Sequence, residues 1–373
     1  MPHILVLPGD HIGPEVVHEA LKLLPLITAS TGVEFTLDHD LCGGASLDAH
    51  NDSVTEAVLK KCTEADAVFF GSAGGPEWGT RQPNPESGLL RIRAMMEIFA
   101  NLRPCYFASE ALVGRSPIKE EIVRGVDFML IRENCGGAYF GNKIEQEDYG
   151  CDPWEYSRKE IERVARVAGA LAMQTSPPTQ VTSADKANVL ASSRVWRRIV
   201  TEVFEREFPK VKLQHQLADS LAMMMITQPT RWNGIILTDN TFGDILSDEA
   251  GGLTGSLGLL PSASLAGPPG GKLGQNSVGG ARGLYEPVHG SAPDISGKGL
   301  ANPVAQVLSL AMMLRYSFNM HKEAEIVEKA VAKVLDTKEA GGLEIRTGDL
   351  GGKAGTKEMS EAIQSEVKRM LAL

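Results

Sequence analysis

Apolar positions along the chain change their period several times, and each change predicts an element. His3 to Leu7 is a short apolar run that reads as a strand. After the turn PGDHIGPE, the positions Val16, Val17, Ala20, Leu21, Leu24 and Ile27 recur at helical spacing, with Pro14 in the first turn where its missing N–H is harmless. Ser53 and Glu56 have the spacing of a capping box and predict a second helix, feeding a strand over 67–71. Ser157 and Glu160 repeat that spacing ahead of Ile161, Val164, Ala165, Ala168 and Leu171. A helical stretch is expected over 89–100, a strand at 180–182, a helix from Ser192 to about Phe208, and a buried strand from Gly234 to Leu237. Beyond residue 250 come loops and then two helices, one capped by Asn302 with Pro303 at its first position, the other over 326–335. Gly267 to Gly283 reads as an insertion-like loop. Strands alternating with helices predict an α/β fold.

A chain of 373 residues exceeds one ordinary core, so two domains are expected. Its 43% hydrophobic and 23% charged residues are those of a globular protein. The net charge of −10 argues against nucleic acid or an acidic membrane as partner, but leaves room for a small anion met by local arginines. MPHILVLPGD resembles neither a secretion signal nor a transit peptide. The longest uncharged stretch, 250–271, is too rich in Gly and Pro for a membrane span. Five scattered cysteines, at 42, 62, 105, 135 and 151, suit a reducing cytoplasm.

The sharpest chemical signal is Asp244 and Asp248 in GIILTDNTFGDILSDEAGG. One helical turn apart, their carboxylates share a face and repel, unless a hard divalent cation lies between them. The apolar, glycine-rich setting favours that reading over a solvated acidic face. Arg91, Arg93, Arg103 and Arg132 gather in one stretch of sequence. Singly each reads as a surface ion-pair residue; as a set beside a metal they suit a dicarboxylate. Leu89 and Leu90 are either core or the apolar surface for a substrate side group. Lys186, after a strand in SADKANVL, is a candidate base if it meets a divalent cation, and an exposed loop lysine otherwise. Tyr139 is core or a general acid. No G-x-G-x-x-G follows the first strand, which excludes a Rossmann domain. The glycine loops GDHIGPE, GSAGG, GSLGLLPS and HGSAPDISGKG offer backbone N–H groups instead, and the last places Asp294 where a carboxylate could hold a ribose diol.

Together these segments resemble the β-decarboxylating dehydrogenases that act on isocitrate and isopropylmalate. LPGDHIGPEV, GGPEWGT, ESGLLRIR, FANLRP, IREN–GG–YFG, DKANVL, TDNTFGDILSDEA, GSLGLLPSASL and LYEPVHGSAPDISGKGLANP match that family's motifs in order, over about residues 4 to 320. The resemblance implies its two-domain α/β fold, with 1–102 and 253–373 forming the cofactor-side domain and 103–252 the dimerisation and metal-side domain. It also implies a homodimer with shared active sites. Arg93, Arg103 and Arg132 would bind the malate carboxylates, and Glu86, Leu89 and Leu90 the substituent. Asp219, Asp244 and Asp248 would hold Mg²⁺ or Mn²⁺, with Asp219 and Lys186 coming from the partner subunit. Lys186 would take the hydroxyl proton, Tyr139 would protonate the enol, and Asp219 would also touch substrate. NAD would lie against Ile12, Gly74, Gly75, Glu86, Asn188, Glu286, His289, Gly290, Ser291, Ala292, Asp294 and Asn302.

The activity so implied is NAD-dependent oxidative decarboxylation of (2R,3S)-3-isopropylmalate in leucine biosynthesis. The alternatives are another 3-substituted malate, tartrate or D-malate, and a catalytically silent homologue. Three departures bear on this. His11 replaces the middle glycine of the usual GDGIGPE turn and is strained if that position needs a positive φ. Asn134 and Cys135 stand where Leu-Thr is common, and Ala138 replaces a usual isoleucine. A smaller residue beside Tyr139 predicts tolerance of larger apolar substituents, aromatic ones included.

Overall fold

The computed structural model describes residues 1–373. Its twelve strands are β1 (His3–Gly9), β2 (Thr36–His39), β3 (Ala67–Ser72), β4 (Ala100–Tyr106), β5 (Asp127–Glu133) and β6 (Ile144–Gln146), followed by β7 (Tyr149–Cys151), β8 (Val181–Asp185), β9 (Leu213–Leu217), β10 (Gly234–Thr238), β11 (Pro261–Leu265) and β12 (Gly283–Pro287). Ten of them form one sheet in the order β2-β1-β3-β12-β11-β4-β5-β10-β8-β9, and β6 and β7 make a separate hairpin. The first four neighbours are parallel to one another, as are the last four. Between the two sets, β12–β11, β11–β4 and β4–β5 all pair antiparallel. Three reversals make the two parallel halves run in opposite directions, so their carboxyl ends open at opposite edges. This is an α/β sheet but not a Rossmann one, as expected.

Period-2 alternation explains where the chemistry lies. On one face, Ile4, Phe69, Leu102, Ile131, Ala263 and Tyr285 join a single apolar cluster that runs the width of the sheet. On the other face the apolar side chains divide into a cluster around Leu5, Phe70 and Leu284 and another around Phe128, Leu130 and Ile236. The strands between those clusters turn polar residues to this face: Asn101 and Arg103 from β4, Ser262 and Ser264 from β11, and Glu286 at the end of β12. Arg132 ends the corresponding row of β5. A polar stripe therefore separates two dry cores.

Several local expectations need correction. The first predicted helix is two, Ile12–Leu21 and Leu24–Thr31, interrupted before Pro25. Ser53 does not cap the second: it is buried, its Oγ 3.0 Å from Ser87 Oγ, while Thr55 Oγ1 accepts from Val58 N. The stretch expected to be helical over 89–100 is the C-terminal part of a helix Pro85–Met95 and then the start of β4. The capping box at Ser157 is present. Asn302 does accept from Val304 N at 3.0 Å, but Pro303 precedes the helix Val304–Tyr316 rather than opening it. The segment 267–283 is a loop as expected, up to Gly283 at the start of β12, and is pinned by the buried Asn276 and a bridge from Gln275 to Ala281. No helix is long and apolar enough to cross a membrane.

Candidate active site

The helix Asn240–Thr254 lies against β4 and β5 and carries both central aspartates. Asp239 Oδ1 caps it by accepting from Phe242 N at 3.0 Å, and Trp154 Nε1 donates to Asp239 Oδ2 at 3.0 Å. Burial pushes the Asp239 carboxyl up to about 7, against the pull of those two donors. The helix can approach β5 because Gly243 has no side chain: a Cβ there would come within 2.6 Å of Arg132 Cγ.

Arg132 is buried, and burial pulls its pKa down to about 10 despite the attraction of Asp244, so it stays charged at neutral pH. Its Nε and Nη2 donate to Asn240 Oδ1 at 2.9 and 2.7 Å, and its Nη1 pairs with Asp244 Oδ1. Tyr139 Oη donates to the other Asp244 oxygen at 2.9 Å. Burial first, then that hydrogen bond, raises the Tyr139 pKa and keeps the phenol protonated. Arg103 Nη1 reaches Asp248 Oδ1 at 2.8 Å and Ser247 Oγ at 3.0 Å, while its Nε donates to Asn101 Oδ1 at 3.0 Å. Asn101 is itself fixed, donating to Ser262 and Ser264 of β11 at 2.8 and 3.0 Å. Arg93 Nη2 donates to Glu286 Oε1 at 2.9 Å. The three predicted arginines thus meet along the polar stripe, whereas Arg91 turns outward to Asp52 and Glu56.

A cleft of about 180 Å³ opens beside them, lined by Ser72, Glu86, Leu89, Arg93, Arg103 and Glu286 among others. Leu89 is half-buried against the neighbouring core, and Leu90 is 46% exposed, so only Leu89 has a core role. Asn134 is buried with its Nδ2 unpartnered, and the half-buried Cys135 turns its thiol toward Arg93 O.

The glycine loops meet at the carboxyl edge of the first parallel half, bound by a residue the sequence reading passed over. Asp10 is buried, and its carboxylate accepts from Gly44 N, Ala45 N and Gly74 N at 2.8 to 2.9 Å. Ile12 N donates to Ser291 O at 3.1 Å, and Ser291 Oγ donates to Gly74 O at 2.7 Å. Next to this frame lies a cleft of about 640 Å³ lined by Ile12, Leu257, His289, Ala292, Asn302 and Asp349. Asp349, also passed over, takes hydrogen bonds from Ser256 Oγ at 2.6 Å and Asn302 Nδ2 at 3.0 Å. Burial lowers the pKa of His289 and keeps it neutral; it lines both clefts. Gly290 lines the smaller one, and Asp294 is exposed beside the larger, between its lining residues Ala292 and Ile295. Another cleft of about 610 Å³, near Tyr106 and Asp127, contains none of the predicted side chains.

Lys186, Asn188 and Asp219 do not join this constellation within one chain. Lys186 Nζ instead pairs with Asp219 Oδ2 at 2.7 Å, which pulls the Asp219 pKa down. Asn188 is exposed on the adjoining turn. No three potential metal ligands lie together in the chain. The donors are nevertheless all carboxylate oxygens, a set that fits Mg²⁺ or Mn²⁺ and lacks the thiolate or imidazole that zinc prefers.

The profile of the isocitrate/isopropylmalate dehydrogenase family matches residues 3–363. The chain is 59% identical to a 3-isopropylmalate dehydrogenase of Hapsidospora chrysogena, over 96% of this chain and 95% of that protein. It is 49% identical to the 3-isopropylmalate dehydrogenase of Schizosaccharomyces pombe, over 99% of each. Among solved structures it is similar to isocitrate dehydrogenase from Methylococcus capsulatus, with a TM-score of 0.81 and 30% identity over 99% of this chain and 100% of the other. A β-decarboxylating dehydrogenase from Thermococcus kodakarensis gives a TM-score of 0.79 at 30% identity, covering 100% and 98%.

Proposed function

The chain belongs to the isocitrate/isopropylmalate dehydrogenase family, and from that premise we propose that it oxidatively decarboxylates (2R,3S)-3-isopropylmalate to 4-methyl-2-oxopentanoate, a step of leucine biosynthesis, using NAD and Mg²⁺ or Mn²⁺. The observation that carries the reading is the convergence of Arg93, Arg103 and Arg132 with Tyr139, Asp244 and Asp248 on the polar stripe. In the free chain these guanidinium groups are held by acids; a substrate with two carboxylates offers them the same partners.

Bound there, the malate carboxylates engage the arginines, and Glu86, Leu89 and the exposed Leu90 receive the isopropyl group. Lys186 Nζ of a second copy, as the neutral amine favoured beside a bound divalent cation, takes the proton of the C2 hydroxyl. After the bond from C3 to the departing carboxylate breaks and CO₂ leaves, Tyr139 Oη returns a proton to C3. NAD, when bound, accepts the C2 hydride, and the divalent cation, when bound, polarises the C2 oxygen. The cation would be held by Asp244 and Asp248 with Asp219 of a second copy, and the 640 Å³ cleft would take the adenosine half of NAD, with Asp294 at its ribose.

The separation of Lys186 and Asp219 from Tyr139 supports a homodimer that shares its sites. Met223 and Ile245, both 61% exposed, flank Asp219 and Asp244 with apolar surface that suits a second copy. On this reading the domain boundary would follow the polar stripe, with 1–102 and 253–373 on one side and 103–252 on the other. Five unpaired cysteines support a cytoplasmic location. Mixing Lys186→Ala and Tyr139→Phe subunits tests the shared site. Each variant alone should be inactive, and random re-pairing of the two should restore up to about a quarter of wild-type activity. No recovery after verified exchange would place the whole site within one chain.

A further inference from the structure

His11 sits at φ 52° and ψ −108°, where glycine is at ease and histidine is strained. Its contacts show what this position secures. Nε2 is 3.1 Å from Glu77 Oε1, in close contact but off the line of a hydrogen bond. The ring lies 5.6 Å from the ring of Trp78, centroid to centroid. Trp78 is anchored in turn, its Nε1 donating to Asp48 Oδ1 at 3.1 Å. The imidazole presses on the backbone of Gly75, where a Cβ would come within 2.3 Å of Nε2. On Gly74 the Glu86 carboxylate makes an equally close approach, 2.4 Å from where a Cβ would stand. Two glycines of bare backbone thus link His11 to Glu86, and Glu86 walls the 180 Å³ cleft with Leu89 and Arg93.

We infer that His11 and Glu77 are a positioning pair, clasping the loop 74–78 to the turn after β1 so that the Gly74–Gly75 backbone and Glu86 are preset for the cofactor. The ligand in this inference rests on the NAD-dependent reading; the clasp itself does not. His11 touches no reacting atom and acts through the glycines. Asp10 already fixes Gly74 from within the fold, so the clasp governs the outer end of the loop.

The test compares His11→Gly, which removes both strain and clasp, with Glu77→Ala, which leaves the turn intact, and with the double variant. Amide exchange in the ligand-free protein is expected to quicken between residues 74 and 79 in all three, with no change in the helix Val304–Tyr316. NAD dissociation constants, read by intrinsic fluorescence, are expected to rise about fivefold in each single variant, the scale of one partly exposed polar contact. The double variant should bind no worse than either single one, because the two substitutions break the same contact. At saturating NAD, kcat should stay within about twofold of wild type, a split that general loss of structure would not produce. Unchanged exchange over 74–79 overturns the clasp. Faster exchange with unchanged NAD affinity, or additive losses in the double variant, overturns its role in positioning. A wild-type protein that fails to bind NAD refutes the proposed function instead, and the exchange result still decides whether the clasp exists.

Discussion

Replacing Asp10 by alanine removes one carboxylate that three backbone donors share. Gly44 N, Ala45 N and Gly74 N all point at it from 2.8 to 2.9 Å, and none has another acceptor in that geometry. Hydrogen bonds to a charged acceptor contribute about 1.5–3 kcal/mol each, so the gross loss is roughly 5 kcal/mol or more. Burial offsets part of it: the Asp10 pKa is raised, with desolvation the largest cause and the three donors opposing. A net destabilisation of about 2–4 kcal/mol follows. A chain of 373 residues unfolding as one unit has an unfolding entropy near ~0.8 kcal/mol per kelvin, so Tm should fall by about 3–5 °C. Asp10→Asn keeps the size and one acceptor oxygen and should lose about half as much. Calorimetry measures the total, and amide exchange at residues 44, 45 and 74 shows whether the loss is local. An Asp10→Ala protein within about 0.5 kcal/mol of wild type, or unchanged exchange at those amides, would refute the claim that this acid binds the glycine loops together.

Exhaustive chelation should abolish turnover, and Asp244→Asn should raise the metal requirement or end activity; full activity after chelation would remove Asp244 and Asp248 as ligands of a required ion. Asp294 should repel a 2′-phosphate, giving at least about tenfold preference for NAD over NADP, or about 1.4 kcal/mol; equal kcat/KM for the two would assign the aspartate no such role. The raised Asp239 pKa gives a signed pH effect. Between the ordinary carboxylate range near 4 and its folded value of about 7, the folded state binds more protons than the unfolded one, so this group's stabilisation is full below that window and lost as pH rises through it. Denaturation of wild type and Asp239→Asn at pH 5 and pH 8 (values chosen to span that window, roughly) should show a flatter profile for the variant, and identical slopes would contradict the assignment.

How far these features could be read from residues alone depended on the distance over which each is determined. Several helices and strands follow from periodicity, but beyond residue 250, where loops and two helices are expected, the chain also forms β11, β12 and a third helix Thr356–Met370; the capping box at Ser157 is local, Ser157 and Glu160 bonding to each other. At Ser53 the same spacing failed, since Ser87, 34 residues away, claims the hydroxyl and Thr55 caps instead. The sheet order was not legible, because the antiparallel centre pairs β4 with β11 across more than 150 residues of chain. Arg91 and Arg93 are two residues apart on one helix, yet one meets surface acids and the other a buried glutamate 193 positions away. Only the fold separates them. Asp10 escaped notice for a similar reason: nothing in GDHIGPE reveals that two other loops bring their N–H groups to it. The strain foreseen at His11 did appear, as its positive φ shows, while the partners that stabilise it, Glu77 and Trp78, lie more than 60 residues on.

The central claim is the identity of the substrate, and steady-state kinetics with NAD and Mg²⁺ across substituted malates test it most directly. As the proposed lining for the substituent, Leu89 and Leu90 would favour an apolar group by roughly 0.8 kcal/mol per buried CH₂, whereas the carboxymethyl arm of isocitrate would bury a charge without a partner. Isopropylmalate should therefore exceed isocitrate by several orders of magnitude in kcat/KM, with larger apolar groups tolerated ahead of charged ones. Efficient turnover of isocitrate, or of tartrate with none of isopropylmalate, would contradict the account.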